Sequence, residues 1–214
     1  MRECVIIGAG EVNRKKLSEF KNTFIIAADG GYVTLTKIKK KPDVLIGDFD
    51  SLEEAGIHED MLEGKGFEIY RLPCEKDETD ILAAIKHALK LGYDQFHIFG
   101  GTGDRVDHMM ANIQCLIYLA NLNCKACLYG KDFEIKIIKN EKITYASNTK
   151  GTISILCIGD EAKGVTLTGL KYPLEHVNLR NDFPIGVSNE FFGMESSIQV
   201  ENGVLLLIHY DSKK

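Results

Sequence analysis

The 214-residue sequence predicts an α/β fold: a mostly parallel, Rossmann-like sheet with helices on both faces, followed by an all-β sandwich or jelly-roll domain. Three observations predict it. Over the first two-thirds of the chain, short apolar runs at 4–8, 24–28, 44–47, 67–72, 95–99 and 125–129 alternate with stretches long enough for crossover helices. Parallel strands require such crossovers. After about Gly130 the segments become short, rich in Ile, Thr and Val, and divided by Gly, Asn and Asp, at 134–138, 143–146, 152–158, 164–167, 197–201 and 204–209. Finally, no apolar run approaches the ~20 residues of a bilayer-spanning helix. The expected division is an α/β domain over 1–135 and a β domain over 136–214, with the change of texture between Gly130 and Asn148.

The first strand is expected at Cys4-Val5-Ile6-Ile7-Gly8. This terminus lacks the length and cleavage site of a signal peptide, so a cytoplasmic address is the expectation. Val44-Leu45-Ile46, bounded by Asp43 and Gly47, suits a buried parallel strand. A helix is predicted from Thr79 to Leu91. Ile81, Leu82, Ile85, Ala88 and Leu89 keep helical spacing, Thr79 is a natural N-cap, and Gly92 suits the C′ position. A second helix starts near Arg105, where Val106, Met109, Met110, Ile113, Leu116, Ile117 and Ala120 form one apolar stripe. In the β half, Glu201-Asn202-Gly203-Val204 carries the Asn-Gly signal of a tight hairpin.

Composition narrows the function classes. Hydrophobic residues make up 44% and charged residues 27%, as in ordinary globular protein. The charge balance is 26 − 31 = −5 with no basic run, which argues against nucleic acid as a partner. Six cysteines are scattered, mostly in apolar segments, and are expected to be reduced core residues. Cys124-Lys125-Ala126-Cys127 has C-x-x-C spacing but lacks a second pair or a His partner, so its expected role is structural.

The residues that carry chemistry sit where strands are predicted to end. Asp48 and Asp50, one residue apart after the strand at 44–47, repel each other unless a cation or proton lies between them. A hard divalent metal, Mg2+, bound through these carboxylates and a substrate's phosphates, satisfies that requirement. Asp29, followed by Gly30 and Gly31, adds a third acid at the end of another strand, and the glycines permit close approach of a ligand. In Lys76-Asp77-Glu78-Thr79-Asp80, Asp77 and Asp80 can reach a shared cation while Lys76 offers a point charge for phosphate. Gly100-Gly101-Thr102-Gly103-Asp104-Arg105 leads from a strand into a helix. Such backbone turns N–H groups toward an anion, and Arg105 adds a planar fork. Together these describe a site for a metal and a nucleotide's phosphates. Gly8-Ala9-Gly10-Glu11-Val12-Asn13 begins like a dinucleotide fingerprint, but Asn13 replaces the third glycine and no acid ends a second strand in the usual context. A P-loop motif is absent.

D-G-G at 29–31, G-D-F-D-S at 47–51, K-D-x-T-D at 76–80 and G-x-x-x-R-x-D-H at 101–108 together resemble the thiamine pyrophosphokinase family. Gly169-Leu170-Lys171-Tyr172-Pro173-Leu174 and Gly186-Val187-Ser188-Asn189-Glu190 resemble that family's thiamine-binding domain. The resemblance implies transfer of a diphosphate group from ATP to the thiamine hydroxyl, with Asp48, Asp50, Asp77 and Asp80 around Mg2+. It places Lys76 and Arg105 on phosphate and Asp29, Gly30 and Gly101 in the ATP site. Asp107 and His108 fall on the substrate side, Asp107 serving either ATP or thiamine, and Ser188 and Asn189 touch thiamine. An aromatic wall would come from Phe183, Phe191 and Phe192, since tryptophan is absent. The resemblance also implies a homodimer with the thiamine site at the subunit interface. Asp104 departs from the pattern by placing a negative charge beside the phosphate loop. A metal-dependent glycosyltransferase using Asp48-Phe49-Asp50, and a non-catalytic nucleotide sensor, are the alternative readings.

Overall fold

A computed structural model describes the whole chain except Lys76, Asp104, Lys213 and Lys214. The chain divides into two compact units, Met1–Lys131 and Asp132–Lys214. The division expected at 135/136 would cut the strand Phe133–Lys139, which lies whole in the second unit.

In the first unit, β1 (Glu3–Ile7), β2 (Phe24–Ala28), β3 (Val44–Gly47), β4 (Glu68–Arg71), β5 (Gln95–Phe99) and β6 (Lys125–Tyr129) form a sheet in the order β4-β3-β2-β1-β5-β6. Every pairing is parallel. Ile6 lies opposite Ile26 on one side and Ile98 on the other. Continuous apolar runs suit strands that are covered on both faces. On one face Val5, Ile7, Ile25, Ala27, Leu45 and Phe99 cluster with Leu17, Leu35 and Leu52. Those leucines come from three short helices, α1 (Arg14–Leu17), α2 (Gly31–Lys37) and α3 (Asp50–Glu54). The alternate side chains Cys4, Ile6, Ile26, Val44, Ile46 and Ile98 are buried as well. Over β1, β2 and β3 packs α4 (Asp80–Lys90), with Ile81, Ala84, Ile85 and Ala88 buried. Each buried isoleucine here stabilises the fold by about 1.5–3 kcal/mol.

Local chemistry sets the ends of α4. Thr79 Oγ1 accepts the Leu82 N–H at 3.3 Å, and Gly92 follows the last turn at φ +81°. The next helix, α5 (Val106–Asn121), packs against β6 but departs from the expected stripe. Val106 is 64% and Met110 51% exposed, whereas Asn112, Ile113, Cys115, Leu116 and Leu119 are buried. Periodicity fixes which way a helix faces, not how far the sheet extends beneath it.

The second unit contains β7 (Phe133–Lys139), β8 (Lys142–Tyr145), β9 (Thr152–Thr168), β10 (Leu174–Arg180), β11 (Asn189–Glu190), β12 (Ser196–Gln199) and β13 (Asn202–Tyr210), and no helix among the described residues. All its pairings are antiparallel. The two strands expected at 152–158 and 164–167 are one. The amino half of β9 pairs with β13 and its carboxyl half with β10 and β12, while Gly159 and Gly164, both at positive φ, lie in its middle. Both halves then contribute to one core, through Ile153, Ile155, Cys157, Val165 and Leu167. The hairpin expected at Asn202-Gly203 does not form: β12 pairs with β8 and β9, not with β13. Gly203 instead exchanges bonds with Asn140, its N–H donating to Asn140 Oδ1 at 2.8 Å. An Asn-Gly pair supplies turn geometry, but partner choice belongs to the whole sheet. Among the described residues, no helix is long and apolar enough to cross a membrane.

Candidate active site

Backbone of unusual conformation follows several strands of the first unit at their carboxyl ends. β1 runs into Gly8-Ala9-Gly10 and β5 into Gly100-Gly101, and these turns touch. Gly8 N–H donates to Phe99 O at 2.8 Å and Gly10 N–H to Gly100 O at 2.9 Å. A Cβ on Gly100 would stand 2.3 Å from the Gly8 carbonyl oxygen, and its φ of +65° favours glycine in any case. Asp29 follows β2 at φ +44°, and Phe49 follows β3 at φ +72°. Non-glycine residues in this region cost about 1–3 kcal/mol and persist where surrounding structure imposes them.

A cavity of about 460 Å³ opens here, lined in part by Gly8, Gly10, Asp29, Asp80, Gly101 and Arg105. Asp29 is only 7% exposed, and its Oδ1 has no hydrogen-bond partner among the described residues. As the sequence places it, Asp29 directly follows β2, which pairs with β1. Gly30 caps α2 beside it. Asn112, which the sequence reading passed over, is buried and donates from Nδ2 to Gly101 O at 2.8 Å, fixing the glycine turn. The available signal was an amide three residues after Met109 and four before Leu116, on the apolar stripe of the helix.

Asp48 and Asp50 lie at the end of β3, outside this lining. Asp48 Oδ1 accepts the Asp50 N–H at 3.4 Å, and Cys74 Sγ donates to Asp50 Oδ1 at 3.9 Å. Ligand atoms of all three lie within 4.8 Å of one another. Two carboxylates so close fit a hard divalent cation that takes its remaining ligands from substrate phosphates. Cys74 corrects an expectation: it is exposed beside the acids, because Leu72-Pro73-Cys74-Glu75 lies beyond β4, not in the core. The remaining cysteines are free, and Cys124 and Cys127 belong to no metal-binding group among the described residues. Asp80 begins α4 and reaches the cavity, whereas Asp77 is exposed and does not line it. Lys76, expected on phosphate, and Asp104, the departure from pattern, lie outside the described residues.

Arg105 is gripped at both ends of its fork. Its Nε donates to Asp107 Oδ1 at 2.9 Å and a terminal nitrogen to Oδ2 at 2.6 Å. Those hydrogen bonds hold the Asp107 carboxyl well below the usual range. Both side chains are exposed, so the pair adds little stability and can exchange partners. His108 lines the cavity while Asp107 does not.

In the second unit Ser188 is exposed at φ +59°, its N–H donating to Ser154 Oγ at 3.1 Å. Asn189 is 4% exposed. Its Oδ1 accepts the Tyr172 N–H at 2.9 Å and its Nδ2 donates to Tyr172 O at 2.7 Å, so it holds the 171–172 segment. Of the three phenylalanines expected to form a wall, Phe191 packs into the core against Tyr145 and His209, while Phe183 and Phe192 are exposed.

Residues 16–128 match the family described as thiamin pyrophosphokinase, catalytic domain, and residues 133–205 match thiamin pyrophosphokinase, vitamin B1 binding domain. The chain belongs to the thiamine pyrophosphokinase family. The catalytic-domain match falls within the first unit and the B1-binding match within the second. Thiamine pyrophosphokinase of Bacillus subtilis is 31% identical over 189 residues, covering 88% of this chain and 87% of its own. A crystal structure of thiamine pyrophosphokinase from Bacillus subtilis superposes with a TM-score of 0.87 at 28% identity, covering 99% of this chain and 100% of that one. The crystal structure of yeast thiamin pyrophosphokinase shares the fold, with a TM-score of 0.80 at 18% identity over 98% of this chain and 86% of its own. The site above is thus the carboxyl edge of a thiamine pyrophosphokinase catalytic unit.

Proposed function

We propose that the protein transfers the diphosphate group of ATP to the hydroxyl of thiamine, giving thiamine diphosphate and AMP, in a Mg2+-dependent reaction. The observation that carries this reading is the pairing of Asp48 and Asp50 beside a glycine-floored cavity in a chain of this family. In the transfer, the thiamine oxygen forms a bond to the β-phosphorus. The bond from that phosphorus to the oxygen bridging it to the α-phosphate breaks, the hydroxyl proton leaves, and AMP departs. Catalysis of this kind rests on positioning and charge neutralisation.

Asp48 and Asp50 would hold Mg2+, with Asp77 and Asp80 as the further acids of the same rim. Mg2+, when bound, neutralises charge on the phosphate oxygens. Arg105 would exchange Asp107 for phosphate, and Lys76 would add its charge. Thiamine would meet the 171–172 and 183–192 segments, where Tyr172, Phe183, Val187 and Phe192 are exposed. A homodimer with the thiamine site at the subunit interface gives these apolar side chains, and Val106 and Met110, a place to be covered. A cytoplasmic address belongs to the same proposal. The glycosyltransferase and sensor readings have no support in the vitamin B1-binding match.

Incubation with ATP, Mg2+ and thiamine tests the reading directly. AMP and thiamine diphosphate form together, and AMP forms only when thiamine is present. Release of ADP in place of AMP overturns it.

A further inference from the structure

The carboxylate of Asp29 is buried in the cavity, and among the described residues its Oδ1 has no hydrogen-bond partner, a desolvated acceptor that a ligand donor would satisfy. Its presentation is rigid. The Asp29 N–H donates to Ile46 O at 2.8 Å, its carbonyl accepts the Tyr32 N–H at 3.0 Å, and Gly47 leaves out a Cβ that would stand 2.8 Å from its own. A fixed anionic acceptor repels phosphate and favours a neutral donor. Among the described cavity residues, the cationic side chain of Arg105 is bonded to Asp107 and is the group proposed for phosphate, which leaves Asp29 to a different donor. Nor does Asp29 belong to the group of potential metal ligands formed by Asp48, Asp50 and Cys74 among the described residues.

The neighbouring strand narrows the donor. β1 and β2 pair in parallel with Ile7 opposite Ala27, which sets the Gly8-Ala9-Gly10 turn beside Asp29. Gly8, Ala9 and Gly10 line the same cavity as Asp29, so a hydroxyl-bearing sugar ring there meets only backbone and one methyl group. In dinucleotide-binding members of this fold class an acid near the end of the second strand accepts a hydrogen bond from ribose, and Asp29 follows the equivalent strand here although the full glycine fingerprint is missing. The phosphate groups then fall toward Gly101, Gly103 and the first turn of α5, where N–H groups and Arg105 favour anions.

We infer that Asp29 accepts hydrogen bonds from the ribose hydroxyls of the nucleotide and thereby selects ribonucleotides over deoxyribonucleotides. The inference rests on the ATP-dependent reading above and names the group that recognises its sugar.

The test compares MgATP with its 2′-deoxy and 3′-deoxy analogues in thiamine diphosphate formation, for the natural enzyme and for Asp29→Asn. Asparagine tolerates positive φ, so the turn survives, and thermal melting checks this. The natural enzyme should show a KM about 10- to 100-fold higher for at least one deoxy analogue, the value of a lost hydrogen bond to a charged group. Asp29→Asn should raise the KM for MgATP until the three nucleotides differ by less than about 3-fold. Calorimetric titration of AMP and its deoxy analogues gives the same comparison without turnover. Three results overturn the inference: equal use of all three nucleotides by the natural enzyme, a rise in KM for thiamine alone in the variant, or a loss restored equally for all three by excess Mg2+. Absence of thiamine diphosphate with every nucleotide overturns the ATP reading, and the calorimetric comparison still decides the role of Asp29.

Discussion

Asp48 and Asp50 lie just past the end of β3, where Asp50 is exposed and neither carboxylate belongs to the apolar core. Asp48→Asn or Asp50→Asn should therefore lower kcat by about 100-fold or more while the protein stays folded. Relief of repulsion should leave the metal-free melting temperature unchanged or higher. Differential scanning fluorimetry beside a Mg2+-saturated assay separates the two effects, and near-normal turnover in both variants removes them from the metal shell. Arg105 makes a sharper demand on geometry. Its fork already matches the two oxygens of Asp107, and the same planar pair of donors suits a phosphate. Arg105→Lys keeps the charge and loses the fork, so kcat/KM for MgATP should fall about 10-fold or more. An unchanged value would mean that Arg105 stays with Asp107 during turnover.

Strand pairing makes its own pH-sensitive contact in the second unit. β7 and β13 place Glu134 opposite His209, and the His209 Nδ1 lies 3.6 Å from Glu134 Oε1 while Nε2 donates to Lys150 O at 2.8 Å. Burial alone would push His209 down, but the Glu134 hydrogen bond, the Lys150 carbonyl and the Glu134 charge raise it above 6.5. Burial would push Glu134 up, yet His209 and Lys136 bring it to about 2. A histidine with a raised folded pKa stabilises fully below 6.5 and loses that contribution as pH climbs through its folded value. Glu134 contributes above 4.5 and loses its share only as pH falls toward about 2. The melting temperature should thus fall as the solution is made alkaline past the histidine range. His209→Gln should flatten that decline, and a decline of equal size in the variant would assign it elsewhere.

For the whole molecule, the proposed assembly can be separated from the proposed chemistry. Light scattering should give twice the mass of one chain, since Val106, Met110, Phe183 and Phe192 leave apolar surface uncovered in a single copy. Asn189→Ala frees the 171–172 segment and should weaken thiamine binding while leaving MgATP binding nearly unchanged. Mixed with Asp48→Asn under conditions of proven subunit exchange, it should recover part of the activity through heterodimers with one intact composite site. Heterodimers without recovered activity would place each thiamine site within a single chain.

Much of this was written locally. The apolar runs at 24–28, 44–47, 95–99 and 125–129 became strands with those bounds, and the caps of α4 formed at Thr79 and Gly92 as their side chains and backbone freedom dictate. Spacing of acids and glycines after those strands marked the rim, because a strand end is a local property. What required the folded chain was every relation between distant segments. The sequence could not say that β9 is one strand shared by two pairings, nor that Asn202-Gly203 meets Asn140. Cys74 joins Asp48 and Asp50, and Asn112 braces Gly101, only after β3, β4, β5 and α5 have packed. Burial decided the rest. Asp29 looks like any turn acid until the packed sheet removes it from water and leaves one oxygen without a donor among the described residues.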